Sequence, residues 1–446
     1  MKYLFIAIGL LTGSVQLSAQ KTKHVILISV DGFRPDFYLD STWPAPNMQY
    51  LAKLGVSARG VDGIFPSVTY PSHTSILTGA YPAEHGIYYN TPFQPLGATG
   101  IWNSETELIK TKTLWTAFKE AGLKTASVSW PVSVGADVDY NIPEAFTIKN
   151  PLDRRGPTSL HATPKGLFEE IQLKATGQME AVDLNINHSK IDENIGRIGA
   201  YLFRTYKPSL LTIHLPGVDH AEHTQGRSGQ LVKAAIANAD RVIGSIWETV
   251  TLSGMADSTA IIITGDHGFV NVSRSFSPNI LLVQAGLLDA KDGPDRNWKA
   301  QFNSGGGSVF LQLKDPSDKQ TLDKIVNMLK TQPDSIKRLF RIVDQQALRK
   351  AGADPNAALA LAAIQGVSIN TKTEGALVSP GKGGAHGYFP DFREIQTGFI
   401  GFGAGFTNNK VVDHMKLIDI APAVAKMLGV SFKQGNQELN QDILIR

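Results

Sequence analysis

The 446-residue sequence contains no cysteine. That excludes a disulfide framework, a thiolate metal ligand and a lipid attachment site at a processed N-terminus. Any bound metal must therefore be held by Asp, His, Glu or hydroxyl oxygen. An excess of one charge is missing too: 43 Lys plus Arg stand against 40 Asp plus Glu, a formal balance of +3. So even a balance argues against a nucleic-acid-binding protein. No internal repeat or low-complexity tract interrupts the chain, and no apolar run is long enough to span a bilayer. What is present, 42% hydrophobic residues with 42 Gly and 23 Pro, fits one large α/β domain with an insertion.

Residues 1–19 start Met1-Lys2, run apolar from Tyr3 to Leu11 and end Leu17-Ser18-Ala19. A basic start, a short apolar stretch and small residues before Gln20 read as a secretory signal peptide cleaved near Ala19, predicting a periplasmic or secreted protein without a membrane anchor. Residues 20–446 then form the mature domain.

Three runs have the composition of strands buried on both faces of a parallel sheet: His24–Val30, Ser209 to Leu215, and Ser258 to Thr264. Each leads into acidic residues: Asp31-Gly32, then Asp219 shortly after Pro216-Gly217, then Asp266-His267-Gly268. An Asp just beyond a buried strand sits where open α/β sheets bind ligands. One such residue is ordinarily a turn or a helix cap. Three are hard to ascribe to turn chemistry. Asp219 and His223 stand four apart, so on a helix they share one face, which is ligand spacing. Crossover helices are expected at 46–55, 114–122, 191–206 and 231–251, with another strand at 124–130, completing a doubly wound pattern.

The stretch Phe65-Pro66-Ser67-Val68-Thr69-Tyr70-Pro71-Ser72-His73-Thr74 organises the chemistry. Pro66 and Pro71 bracket Thr69, which predicts a tight turn ahead of a helix at 72–77, with free N–H groups favouring an anion such as phosphate. An unperturbed hydroxyl keeps its proton at neutral pH and needs a base or a metal. The candidates for an activator are Asp31, Asp219, His223, Asp266, His267 and His386, the last in Gly384-Ala385-His386-Gly387-Tyr388. Three carboxylates, three imidazoles and one hydroxyl suffice for two adjacent tetrahedral sites, and this oxygen and nitrogen mix suits two Zn2+ ions. Two divalent cations would balance three Asp and one alkoxide, so a phosphoryl group could bridge them; ions in such pairs lie about 3.5–4 Å apart. Residues 272–380, with a strand at 307–313, a helix at 319–331 and an Ala-rich stretch at 357–364, are expected to form a cap insertion shaping access. The main sheet resumes with a strand at 397–402 and a helix at 418–428.

These motifs, from Ser29-Val30-Asp31-Gly32-Phe33-Arg34 through 65–90, Asp219 to His223 and Asp266-His267-Gly268 to Gly384–Tyr388, resemble those of the alkaline phosphatase superfamily. Within it they resemble the nucleotide pyrophosphatase/phosphodiesterase family. The resemblance implies an alkaline phosphatase-like, mostly parallel sheet flanked by helices, with a smaller α+β cap. It implies Thr69 as a nucleophile that is transiently phosphorylated. One zinc would be bound by Asp31, Thr69, Asp266 and His267, the other by Asp219, His223 and His386. Asn90, 21 residues after Thr69 as in the family, would donate to a non-bridging phosphoryl oxygen.

The substrate expected is a small phosphate diester or nucleotide. In nucleotide-cleaving relatives two aromatic residues sandwich the base; here Tyr70 fills one place and His214 the other, five residues before Asp219. That exchange leaves lipid-derived or choline-type diesters and phosphonates open. Without cysteine the formylglycine of many sulfatases is excluded. Trp130-Pro131 fits the diesterases better than the monoesterases, which add a cation at the phosphoryl oxygens; Arg154 and Arg155 fall in the corresponding region without the surrounding motif. The alternatives are a phosphomonoesterase or phosphonate hydrolase of the same superfamily, and an inactive metal-containing binding protein. His73 and His85 are assigned to packing and turn support.

Overall fold

The computed structural model describes residues 22–433 and 443–445. The signal peptide expected at 1–19 lies outside the described residues. Within them, no helix is long and apolar enough to cross a membrane.

The strand His24–Val30 is the hinge of the architecture because its two faces feed two different cores. Ile26, Ile28 and Val30 enter one cluster with the helices Pro46–Leu54, Lys190–Tyr206 and Gln230–Leu252. Val25 and Leu27 enter another with the helices Leu114–Glu120 and Ile420–Met427. A strand sandwiched in this way is apolar on both faces over most of its length, here Val25 to Ile28 and Val30, which is why it reads as a near-continuous run rather than an alternation.

The main sheet has eight strands in the order Lys410–Val412, Val56–Ala58, Phe399–Gly403, Thr259–Thr264, His24–Val30, Leu210–Leu215, Thr125–Val128 and Tyr140–Ile142. Its pairings are parallel except where Phe399–Gly403 meets its two neighbours antiparallel. Register matters most at the centre. Ser29 lies beside His214 on one side and Thr264 on the other, so the carboxyl ends of three adjacent strands are level. Asp31, the helix Gly217–Gln225 and Asp266-His267 therefore leave the sheet at one edge. Gly265 is required there: a Cβ would fall 2.4 Å from the Phe33 Cβ and 2.8 Å from the Val30 carbonyl oxygen.

Between the strands Thr259–Thr264 and Phe399–Gly403 the span 272–380 builds a second, antiparallel sheet, ordered Ala300–Asn303, Ser308–Leu313, Leu359–Ala363 and Phe340–Asp344. The helix Lys319–Lys330 accompanies it. The Ala-rich stretch is the buried strand Leu359–Ala363, where small side chains let Phe310, Phe65 and Tyr89 pack across the junction with the main body. A short sheet of Arg274–Phe276, Val367–Ile369 and Val378–Pro380 closes the span.

One local expectation is corrected. The helix does not wait until residue 72 but runs Thr69–Thr78, with Thr69 as its first residue and Pro71 inside its first turn. Proline is tolerated at that point because first-turn N–H groups have no intrahelical partner to lose. Gly79, at φ +64°, ends the helix in the left-handed conformation.

Candidate metal centre and active site

Asp31, Asp219, Asp266, His223, His267 and His386 come from positions as far apart as the first strand and the loop before Tyr388, and they converge. His267 Nε2 lies 3.0 Å from Asp266 Oδ2 and 3.4 Å from Asp31 Oδ1. Asp219 Oδ1 lies 3.3 Å from His223 Nε2 and 3.6 Å from His386 Nε2. The Asp219 to His223 contact confirms the shared helix face, since both belong to Gly217–Gln225. The His267 and His386 rings stack at 3.7 Å and 6°. Two groupings have the spacing of a metal site: Asp31 with Asp266 and His267, and Asp219 with His267 and His386. His267 is thus within reach of both, and His223 joins the second through Asp219.

Two observations show that these groups suit cations. First, Asp31 Oδ1, Asp219 Oδ1, Asp266 Oδ2 and His267 Nε2 are buried without a hydrogen-bond partner, although buried polar atoms are ordinarily paired. Second, each imidazole is anchored by its other nitrogen to a backbone carbonyl: His223 Nδ1 to Gly384 at 3.1 Å, His267 Nδ1 to Gly268 at 3.2 Å and His386 Nδ1 to Ser67 at 3.1 Å. Such a bond places the proton on Nδ1 and leaves the Nε2 lone pair facing the cluster, the arrangement of metal-ligating histidine.

Electrostatics point the same way. Burial opposes charge on His223 and His267, yet Asp219 beside the first and Asp266 beside the second hold both up at about 9. Burial, and then repulsion from Asp266 and Asp219, raises Asp31 well above the usual carboxylate range. Three carboxylates packed this closely call for positive charge, from protons or from metal.

Thr69 and Asn90 line a cavity of about 290 Å³ together with Asp31, Asp219, His223 and His386. Asn90 Oδ1 accepts from the Tyr70 N–H at 2.9 Å, which ties it to the start of the Thr69 helix and leaves its Nδ2 hydrogens available. His73, fully buried, sits under that first turn with Nδ1 2.8 Å from the Thr69 carbonyl oxygen. Burial and the nearby His214 push it down to about 3, so it is neutral. His85 is likewise internal, bonded to Ser75 Oγ at 3.0 Å and to the Ile87 N–H.

His214 borders the same cavity, 1% exposed at the end of its strand, with Nε2 3.0 Å from Asp31 Oδ2 and Nδ1 3.3 Å from Glu144 Oε2. Its ring meets His73 edge to face. Burial disfavours its charge, but Asp31 and Glu144 overcome that and raise it to about 10. It therefore positions Asp31. Glu144 carried no signal in the sequence. It gathers His214, the Tyr70 hydroxyl at 3.1 Å and Arg154 at 3.6 Å. Tyr70 does border the cavity, against Trp102 at 5.2 Å, with Trp102 edge-on to Phe146. The second aromatic wall thus comes from 102 and 146, whose proximity only folding reveals. Arg154 lines the same cavity, while Arg155 turns away to Asp153 and the Met179 carbonyl.

A doubly wound sheet carrying carboxylate and imidazole ligands at the level ends of its central strands, beside a helix-borne hydroxyl, is the architecture of the alkaline phosphatase superfamily. The family model of type I phosphodiesterase/nucleotide pyrophosphatase matches residues 25–389, and the chain belongs to that family. Human ectonucleotide pyrophosphatase/phosphodiesterase family member 1 is 24% identical over 438 residues, covering 92% of this chain and 40% of that protein. Rat family member 7 is 26% identical over 269 residues, covering 58% of this chain and 52% of that protein. The chain spans about half or less of the length of these curated relatives. Among solved structures, human ectonucleotide pyrophosphatase/phosphodiesterase 5 superposes with a TM-score of 0.68 at 18% identity, covering 94% of this chain and 99% of that one. An inactive threonine-to-alanine variant of the murine protein 5, in complex with AMP, gives the same score at 17% identity and covers 94% of this chain and all of that one. These likenesses establish the shared fold.

Proposed function

We propose that this chain hydrolyses phosphoric diester or pyrophosphate bonds through a phosphorylated Thr69, with two zinc ions as cofactors, after export from the cytoplasm. The observation that carries the proposal is the cluster of three carboxylates and three anchored imidazoles, of which Asp31, Asp219, His223 and His386 line the cavity that Thr69 borders.

Asp31, Asp266 and His267 would hold one ion and Asp219, His223 and His386 the other, with Thr69 completing the first set. A pair of divalent cations bound there would supply positive charge to lower the pKa of the Thr69 hydroxyl and to stabilise the departing oxygen. Thr69 Oγ1 forms the bond to phosphorus as the bond to the leaving alcohol or phosphate breaks, and water later attacks the same phosphorus, breaking the Oγ1–P bond to release the remaining phosphate ester and restore the hydroxyl. Asn90 offers Nδ2 to a non-bridging oxygen, an interaction that strengthens as charge builds there. The N-terminus of the Thr69–Thr78 helix favours the same negative charge. Glu144 and His214 keep Asp31 oriented. Tyr70, Trp102 and Phe146 give a planar substituent such as a nucleobase an apolar wall; the AMP complex of the murine relative supports that reading.

A monoesterase is favoured by one observation: the Arg154 guanidinium, 8% exposed, borders the cavity of Thr69 and Asn90, with Nε and Nη1 making no hydrogen bond and Nη1 3.6 Å from Glu144 Oε1. A cation there suits the second charge of a monoester. Initial rates on bis-p-nitrophenyl phosphate and p-nitrophenyl phosphate, with zinc-loaded protein, separate the two. We expect the diester to be preferred; a large monoester preference defeats the diesterase. Thr69→Ala is expected to keep its metals and lose at least about 10³-fold in kcat. Turnover by that variant at near wild-type rate removes Thr69 from the mechanism, and binding without turnover by the wild type makes the chain a binding protein.

A further inference from the structure

A phosphodiester has two substituents, and the metal cluster opens into two cavities. The first is the aromatic-walled one described above. The second, about 620 Å³, lies toward the antiparallel sheet, between the loop 91–98, the strand Ala300–Asn303 with 304–306, and residues 371–373. The two share Asn90, His223 and His386. A phosphoryl group held at the cluster therefore faces both, and one ester arm can enter each.

The wall of the second cavity has its own chemistry. Gln301 and Asn303 stand two apart on one strand, so their side chains leave the same face, while Ala300 and Phe302 go into the hydrophobic core. Each amide is 9% exposed, and Gln301 Oε1 and Asn303 Oδ1 are both buried without a hydrogen-bond partner. Buried acceptors are ordinarily satisfied, and two on adjacent same-face positions of one cavity wall mark a place for hydroxyl donors. The buried cation of this wall, Arg296, is already committed: Nη1 lies 2.7 Å from Asp292 and 3.2 Å from the Pro95 carbonyl, and Nε 3.0 Å from the Asp289 carbonyl. The inner wall thus offers amide hydrogen bonds, while the other lining cation, Lys372, is exposed.

We propose that this cavity is a subsite for a hydroxyl-bearing ester arm, such as a glyceryl or sugar group, recognised by Gln301 and Asn303. The proposal rests on the phosphodiesterase reading and adds a substrate class to it.

The test uses three diesters that share a p-nitrophenyl arm and carry methyl, 2,3-dihydroxypropyl or a hexosyl group on the other. Wild-type kcat/KM is expected to favour the hydroxylated esters over the methyl ester by about tenfold or more, because a site built for hydroxyls rejects an analogue lacking them. Comparing the glyceryl and hexosyl arms identifies which source of hydroxyls fits. In Gln301→Met with Asn303→Leu, which keep volume and remove the amides, the preference is expected to collapse toward one. The same comparison is made at equilibrium, as dissociation constants of the three esters for the Thr69→Ala protein. A wild-type ratio near one, in turnover and in binding, overturns the subsite whether or not the double variant folds. So does an equal loss on all three esters in the variant, which a merely structural role would produce. Turnover without preference defeats the subsite alone. Preferential binding of hydroxylated esters without turnover defeats the hydrolase and leaves the subsite.

Discussion

At the scale of single residues, the chemistry depends on which nitrogen of each imidazole is free. Backbone carbonyls of Gly384, Gly268 and Ser67 take the Nδ1 protons of His223, His267 and His386, so Nε2 is the nitrogen left to face the cluster in all three. Without metal, the neighbouring carboxylates keep His223 and His267 protonated up to about 9. Each must lose a proton before it can coordinate, so lowering the pH returns protons to the site and weakens metal binding. Zinc affinity, titrated against a competing chelator, is expected to rise by roughly tenfold per pH unit for each proton displaced, and to level off above about 9. A flat profile between neutral pH and that point would show that these two residues do not ligate. His214, an imidazole in the place of a stacking aromatic, is a buried cation between Asp31 and Glu144, because two carboxylates within hydrogen-bonding reach outweigh the cost of its burial.

At the scale of elements, the site is held by short segments pressed against one another. The glycines 305–307 run under the loop that carries His386: the Gly307 N–H donates to the His386 carbonyl at 2.6 Å, and the Gly387 N–H to the Ser67 carbonyl at 2.9 Å. One metal ligand, the turn before Thr69 and the antiparallel sheet thus share a seam. Gly306 sits at φ +99°, and a Cβ there would lie 2.5 Å from the His386 carbonyl oxygen. Gly306→Ala is expected to cost about 1–3 kcal/mol of stability from the backbone conformation alone. Pushing His386 aside should also weaken metal binding, which denaturant melts with and without zinc can separate; unchanged affinity would mean the seam does not position His386. The helices and central strands were legible in the sequence because their apolar periodicity is set locally. The start of the Thr69 helix was not. Its first turn is satisfied from a distance by Asn90 and rests on His73, and proline in a first turn carries no penalty that would reveal the boundary.

At the scale of the whole molecule, the candidate metal ligands span the chain from Asp31 to His386, joining the end of the first strand, the helix after the strand Leu210–Leu215, and the loop that follows the antiparallel sheet. Ions bound across such separations favour the folded state, since the unfolded chain offers no preformed site. Chelation is expected to lower the melting temperature, with zinc restoring it; at about 100-fold excess over its dissociation constant, one ion contributes roughly 2.7 kcal/mol. Identical melting of the metal-free and zinc-loaded protein would mean the cluster is not a metal site under those conditions. The same long separations explain the division of labour between sequence and fold. Local composition alone determined the buried strands, the crossover helices, the acidic residues at strand ends and the Asp219 to His223 spacing, because each depends on neighbours within a few positions. Only the tertiary structure decided that His267 reaches both ligand groups, that Glu144 and His214 lie behind Asp31, that Arg154 rather than Arg155 enters the cavity, and that Gln301 and Asn303 face it. Those relations rest on strand register and on the packing of one sheet against another, and neither is written in the spacing of residues along the chain.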